Sequence, residues 1–147
     1  MDPISPDLRT VANLEDGDWK ALGPGESILQ LDDSLPVGTG FHVYRLDPGA
    51  SSTPHEHTCD EHFLILDGDL VDHDGFRYGP GDMVMLHRGT RHNSRTETGC
   101  TIAVYIATPE VNLQGPSPDS GSAPAPPRPA RDLRTPQMDH HPGPAPQ

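Results

Sequence analysis

His55 and His57 stand one residue apart in the stretch Gly49–Gly68, GASSTPHEHTCDEHFLILDG, and a carboxylate, Glu61, follows four residues after the second histidine. Side chains alternate along an extended chain, so histidines at i and i+2 share a face and can converge on one ion. Glu61 opens the apolar run Glu61–Leu66, and a short loop over Thr58–Asp60 would fold its carboxylate back beside the two imidazoles. One hairpin thus offers three metal donors. Two further histidines, His87 and His92, lie downstream within Gly81–Thr96. Imidazoles with one carboxylate suit first-row divalent ions from manganese through zinc, and affinity order alone does not choose among them. An octahedral ion held by four protein groups keeps two open positions, whereas a four-coordinate zinc keeps none; open positions admit a bidentate substrate or dioxygen.

The elements that must carry these groups are short strands. Trp19–Leu22, Ser27–Leu31, Phe41–Leu46, Glu61–Leu66, Asp69–Asp72, Phe76–Tyr78, Met83–Leu86, His92–Thr96 and Cys100–Ala107 are separated by turn signals such as Gly23-Pro24-Gly25, Asp47-Pro48-Gly49, Asp74-Gly75 and Gly79-Pro80-Gly81. Strands and turns at this spacing, without helical periodicity, indicate an all-β sandwich or barrel. Parity along Glu61–Leu66 places Phe63 and Ile65 with Glu61 toward the cavity, and turns His62, Leu64 and Leu66 outward. Thr96 has the parity of His92, so its hydroxyl is also expected to face inward. His87 falls in a turn and reads as a surface histidine.

Gly49, five residues, His55-x-His57, three residues, Glu61, six residues and Gly68 together resemble the first motif of the cupin superfamily, G(X)5HXH(X)3–4E(X)6G. Gly81, five residues, His87-Arg88-Gly89, two residues, His92, three residues and Thr96 resemble the second motif, with histidine where proline is usual and threonine where asparagine is usual. The acidic hairpin Asp69–Asp74 ending at Gly75, the segment Tyr78-Gly79-Pro80-Gly81-Asp82, and Gly99-Cys100 narrow the resemblance, over roughly Trp19 to Ala107, to the ChrR-like cupin group. That group includes the sensory domain of ChrR-type zinc anti-sigma factors and, more loosely, small dioxygenases that cleave acetylacetone or dihydroxyacetophenone. The resemblance implies a single double-stranded β-helix (jelly-roll) barrel with metal ligands His55, His57, Glu61 and His92. Glu61 would also serve catalysis, and Phe63, Ile65 and Thr96 would line the substrate pocket. Two functions are open: an iron(II)-dependent dioxygenase acting on a small diketone or hydroxyketone, with zinc, manganese, nickel or cobalt as other possible ions; or a non-catalytic zinc or small-ligand binding module. Cupins resembling this one are often homodimers.

Composition bounds the rest. Of 22 acidic residues, 18 lie in 1–108 against 7 basic ones, a local excess of 11 negative charges that would repel a polyanionic backbone. Nucleic acid is therefore not an expected partner. No apolar run approaches the roughly 18 residues that span a bilayer, and a soluble, cytoplasmic protein is expected. Cys59 and Cys100, 41 residues apart, write neither a disulfide framework nor a zinc knuckle. Residues 1–16 read as a flexible leader and 17–108 as the barrel. The remainder, 109–147, holds 11 of the 18 prolines and few large apolar residues, and is expected to be a disordered tail. Residues 1–40 lack helical apolar periodicity, so a helical sigma-binding domain is not expected there.

Overall fold

The computed structural model describes residues 1–113, and the tail expected over 114–147 lies outside them. After a 3-10 turn at Pro6–Leu8, the described chain is built from twelve strands: β1 Lys20–Gly23, β2 Glu26–Gln30, β3 Gly40–Leu46, β4 His55–Glu56, β5 Glu61–Gly68, β6 Leu70–Asp72, β7 Arg77–Tyr78, β8 Met83–Leu86, β9 Arg91–His92, β10 Ser94–Arg95, β11 Cys100–Ile106 and β12 Val111–Asn112. A six-stranded sheet in the order β1-β2-β3-β11-β5-β8 forms one wall. Two three-stranded sheets, β10-β6-β7 and β12-β4-β9, complete the jelly roll. Among the described residues, no helix is long and apolar enough to cross a membrane.

Alternation explains the large sheet. Along β11, Cys100, Ile102, Val104 and Ile106 are buried while Tyr105 is half exposed. Along β5, Phe63 and Ile65 are buried while His62 and Leu66 are exposed. Phe63, Ile65, Cys100, Ile102 and Val104 meet Leu46, Leu70 and Tyr78 in one core cluster. Phe63 meets Tyr78 edge to face, with ring centroids 5.4 Å apart. Gly68 closes β5 at φ +85°, and a Cβ there would lie 1.8 Å from the Gly99 carbonyl oxygen, so only glycine lets the β5 and β11 ends meet.

Two features differ from the sequence reading. The strand expected over His92–Thr96 divides into β9 and β10, which join different sheets. Strand pairing also runs past the expected barrel limit at 108: Val111 pairs with Glu56, Asn112 pairs with His55, and the Leu113 N–H donates to the Pro54 carbonyl at 2.8 Å. Composition cannot reveal this last strand, because a two-residue edge needs no apolar side chain when its backbone hydrogen bonds hold it. The strand expected over Met83–Leu86 forms as β8, and within the described residues one of its faces is packed. Val84 and Leu86 rest on the core, whereas Met83 is 85% exposed.

Candidate metal centre

His55 lies on β4, the middle strand of its sheet, and is the direct partner of His92 on β9 and of Asn112 on β12. Antiparallel partners project to the same face, so this register brings together histidines 37 residues apart in sequence (92 − 55). His57 follows β4 and is held through its backbone: its N–H donates to the Thr90 carbonyl at 3.0 Å, and its carbonyl accepts from the Gly89 N–H at 2.8 Å. The three imidazoles are buried, with ring centroids 4.6–5.0 Å apart. Donor atoms of His55, His57 and His92 lie within 4.8 Å of one another, as do those of His57, Glu61 and Glu110.

The hydrogen bonds aim the lone pairs. His55 Nδ1 donates to the Thr53 carbonyl at 2.7 Å, which leaves its Nε2 bare. His92 Nδ1 donates to Asp72 Oδ1 at 3.1 Å, leaving Nε2 bare there too. That atom is 2.9 Å from His57 Nε2. Two bonds of about 2.1 Å at right angles to one ion would put their donors about 3.0 Å apart, so the pair has the spacing of neighbouring ligands. His57 Nδ1 is buried without a hydrogen-bond partner and is 3.9 Å from Glu61 Oε2. A buried set of imidazoles and carboxylates with one unpartnered nitrogen fits a divalent cation in chemistry, His57 giving such an ion one of its two nitrogens.

Electrostatics separate the three rings. Burial, helped by the neighbouring His55 and His92, lowers the His57 pKa to about 4, so its ring is neutral at physiological pH. Burial also pulls His92 down, but the Asp72 hydrogen bond and charge outweigh it and leave its pKa above the ordinary imidazole value. Glu61 is pushed up to about 7, chiefly by burial.

A cavity of about 350 Å³ opens on this cluster. Phe63, Leu70, Ile102 and Val104 supply apolar wall, and His55, His92, Glu61 and Ser94 supply polar wall. Ile65, expected to line the pocket, is instead fully buried in the core and lies off the cavity, two residues beyond Phe63 and under the Gly81–Asp82 turn that bonds its backbone. Thr96, also expected there, donates its hydroxyl to Asp69 at 3.1 Å and accepts from the Gly99 N–H. Ser94, two residues earlier, lines the cavity in its place. His87 is exposed in its turn, 3.7 Å from Asp60.

Three residues of the site were not legible in the sequence. Asp72, at the end of β6, has the parity of the buried Leu70, a signal hidden by the acidic run around it. His42 sits on β3 with its Nδ1 3.1 Å from the Gly40 carbonyl and lines the cavity beside Tyr44. Glu110, in the stretch read as tail, lies 3.1 Å from His55 Nε2 and carries no local signal.

Comparison with known proteins agrees with this architecture. Residues 8–108 match the family described as the ChrR cupin-like domain. The structure of Rhodobacter sphaeroides SigE in complex with the anti-sigma ChrR is similar at 26% identity and TM-score 0.52, covering 63% of this chain and 49% of that one. The chain thus spans about half the length of that relative. An RmlC-like cupin protein from Ralstonia eutropha JMP134 aligns at 15% identity and TM-score 0.60 over 71% of each chain. The polyketide cyclase RemF from Streptomyces resistomycificus aligns at 22% identity and TM-score 0.51, covering 79% of this chain and 88% of that one. At those identities the last two show the shared fold alone. No curated protein sequence matches the chain.

Proposed function

This chain belongs to the ChrR cupin-like family, and from that premise we propose that it is an iron(II)-dependent dioxygenase acting on a small diketone or hydroxyketone, with His55, His57, Glu61 and His92 as metal ligands. The observation that carries the reading is the cavity. A site that only held the barrel together would need no space beside its ion, whereas here about 350 Å³, the size of small-molecule sites, adjoins the donor cluster. A bound iron(II) would supply Lewis acidity and redox capacity. The protein supplies position. His55 and His92 are fixed in ring orientation by Thr53 and Asp72, and Phe63, Leu70, Ile102 and Val104 exclude water from the space beside them. Tyr44 donates to Glu26 at the cavity wall, and burial with that carboxylate keeps its phenol protonated, so the pair presents a fixed dipole to a compact polar ligand. Glu61, partly buried with 14% of its side chain exposed, holds the carboxylate edge of the site.

Oxygen uptake tests the proposal. Protein reconstituted with iron(II) and offered small diketones and aryl hydroxyketones is expected to consume dioxygen with at least one of them. Zinc-loaded protein, lacking redox chemistry, is expected to consume none.

The similarity to the anti-sigma ChrR favours a second reading, a non-catalytic zinc or small-ligand binding module. Stoichiometric zinc in protein purified without added metal, together with no oxygen uptake by the iron form, would select it. Either reading is of a cytoplasmic homodimer.

A further inference from the structure

We infer that Glu110 is a fifth protein ligand of the metal centre, holding an exchangeable coordination position that an anionic oxygen chelator must take from it. The inference rests on the metal centre proposed above. Glu110 Oε2 lies 3.1 Å from His55 Nε2, and a Glu110 oxygen lies within 4.8 Å of donor atoms of His57 and Glu61. The Thr53 carbonyl accepts from His55 Nδ1, so Nε2 is the ring nitrogen turned toward the carboxylate, and a metal ion seated there would be within reach of both. An imidazole gives one nitrogen to a given ion: His57 Nε2 lies 2.9 Å from His92 Nε2, and the unpartnered His57 Nδ1 lies 3.9 Å from Glu61 Oε2. Glu110 groups with His57 and Glu61 and also contacts His55 of the three-histidine group, so its carboxylate is within reach of an ion held by either.

The backbone delivers Glu110 to this position from two anchors. On one side, the Thr58 hydroxyl contacts the Thr108 hydroxyl at 2.7 Å and donates to the Pro109 carbonyl at 2.8 Å. On the other, β12 pairs with β4, placing Asn112 opposite His55. Glu110 and Asn112 share strand parity, and both line the cavity together with Pro109. The segment 108–113 is therefore a strap across the cavity, fixed at each end. Its carboxylate differs from the other donors in exposure: the Glu110 side chain is 42% exposed, against 8% for His55 and 0% for His57. The donor on the solvent side is the one able to leave.

Five protein donors leave an octahedral ion one free position, too few for a chelator that binds through two oxygens. Glu110 must let go for such a ligand to bind, and the carboxylate it releases is exchanged for one oxygen of the incoming anion. No electron or proton transfer is involved.

Cobalt(II) loaded onto the full chain tests this without turnover, because its visible absorption reports coordination number; oxalate, which binds through two oxygens, serves as the anion probe. Glu110→Ala is expected to bind cobalt about tenfold more weakly, to shift the visible band, and to bind oxalate about tenfold more tightly. Glu110→Gln, which keeps the size but weakens the donor, should fall between the two. Wild type and Glu110→Ala taking up stoichiometric cobalt with identical affinity, spectrum and oxalate binding would overturn the Glu110 assignment alone. Weaker cobalt binding with unchanged oxalate affinity would overturn the exchange. Failure of the wild type itself to take up stoichiometric cobalt would overturn the metal centre on which the inference rests.

Discussion

Asp72 accepts hydrogen bonds from His92 Nδ1 at 3.1 Å, from Ser94 Oγ at 2.5 Å and from Tyr78 Oη at 2.7 Å, in one buried corner of the barrel. Burial alone would raise its pKa, but these three donors outweigh burial and hold it below the usual carboxylate value. The carboxylate is thus ionised where it orients a metal-ligating ring. Replacing it should loosen the ion without touching a ligand: Asp72→Asn is expected to lower metal affinity about 10- to 100-fold in a chelator competition. Asp72→Ala also strands two buried hydroxyls, with a loss of about 2–4 kcal/mol in denaturant unfolding of the metal-free protein. The same pair sets a pH dependence. His92 has a folded pKa above its unfolded value, so the protonated ring stabilises the metal-free fold fully below pH 6.5, and that stability is lost as pH rises through the folded value. Metal binding has the opposite sign, because the ion requires a neutral ring and is lost as pH falls through the same value. Apparent metal affinity should therefore be lower at pH 6 than at pH 8. In Asp72→Asn the midpoint of that fall should move to lower pH, since the imidazolium has lost its carboxylate; an unmoved midpoint would mean that the pair does not govern loading.

At the scale of elements, β4 is a two-residue strand carrying a ligand, and it is stable only because β9 and β12 flank it. A chain ending at 108 would leave β4 as a sheet edge and remove Glu110. It is expected to lose metal affinity and several degrees of thermal midpoint, whereas a chain ending at 113 should keep both. The turn from β10 to β11 depends on Asp69, whose carboxylate accepts from the Thr96 hydroxyl and from the Glu97 and Thr98 N–H groups. These bonds overcome the raising effect of burial and hold the pKa near 2. Because the folded value is depressed, the stability is present above about pH 4 and is lost as pH falls toward 2. Asp69→Ala should cost about 1–2 kcal/mol at pH 7, discounted for the group's exposure, and the cost should vanish in that acid window. What the sequence disclosed follows the same divide between local and non-local. His55 and His57 were legible because strand period fixes their common face, and Phe63 and His62 because they alternate on one continuous strand. Thr96 was misplaced although it is buried like His92. Parity says which face a residue takes, not how far along the barrel it sits, and the break between β9 and β10 carries Thr96 to the Asp69 turn. Asp72, His42 and Glu110 arrive through sheet register, which no local spacing encodes.

For the whole molecule, the outer face of the six-stranded sheet is the apolar surface that the described residues leave exposed. Phe41, Met83, Met85 and Tyr105 are between 46% and 85% exposed there, side by side with Leu64 and His62. The chain carries a formal net charge of −12, so two copies repel each other over most approaches. This face bears no carboxylate among its lining residues, and it is where apolar contact is opposed least. A homodimer joined through it should behave unlike an association driven by ion pairs. Its dissociation constant should fall as added salt shortens the screening length from about 30 to about 8 Å, because screening removes the repulsion and leaves the apolar contact intact. Among the described residues Met83 is 85% exposed, which makes Met83→Lys a test of association rather than of folding. Light scattering is expected to give twice 15.9 kDa for the wild type and a single chain for Met83→Lys, at an unchanged metal content. A wild type that stays monomeric across the salt series, or a Met83→Lys protein that still dimerises, would place the contact elsewhere or remove it.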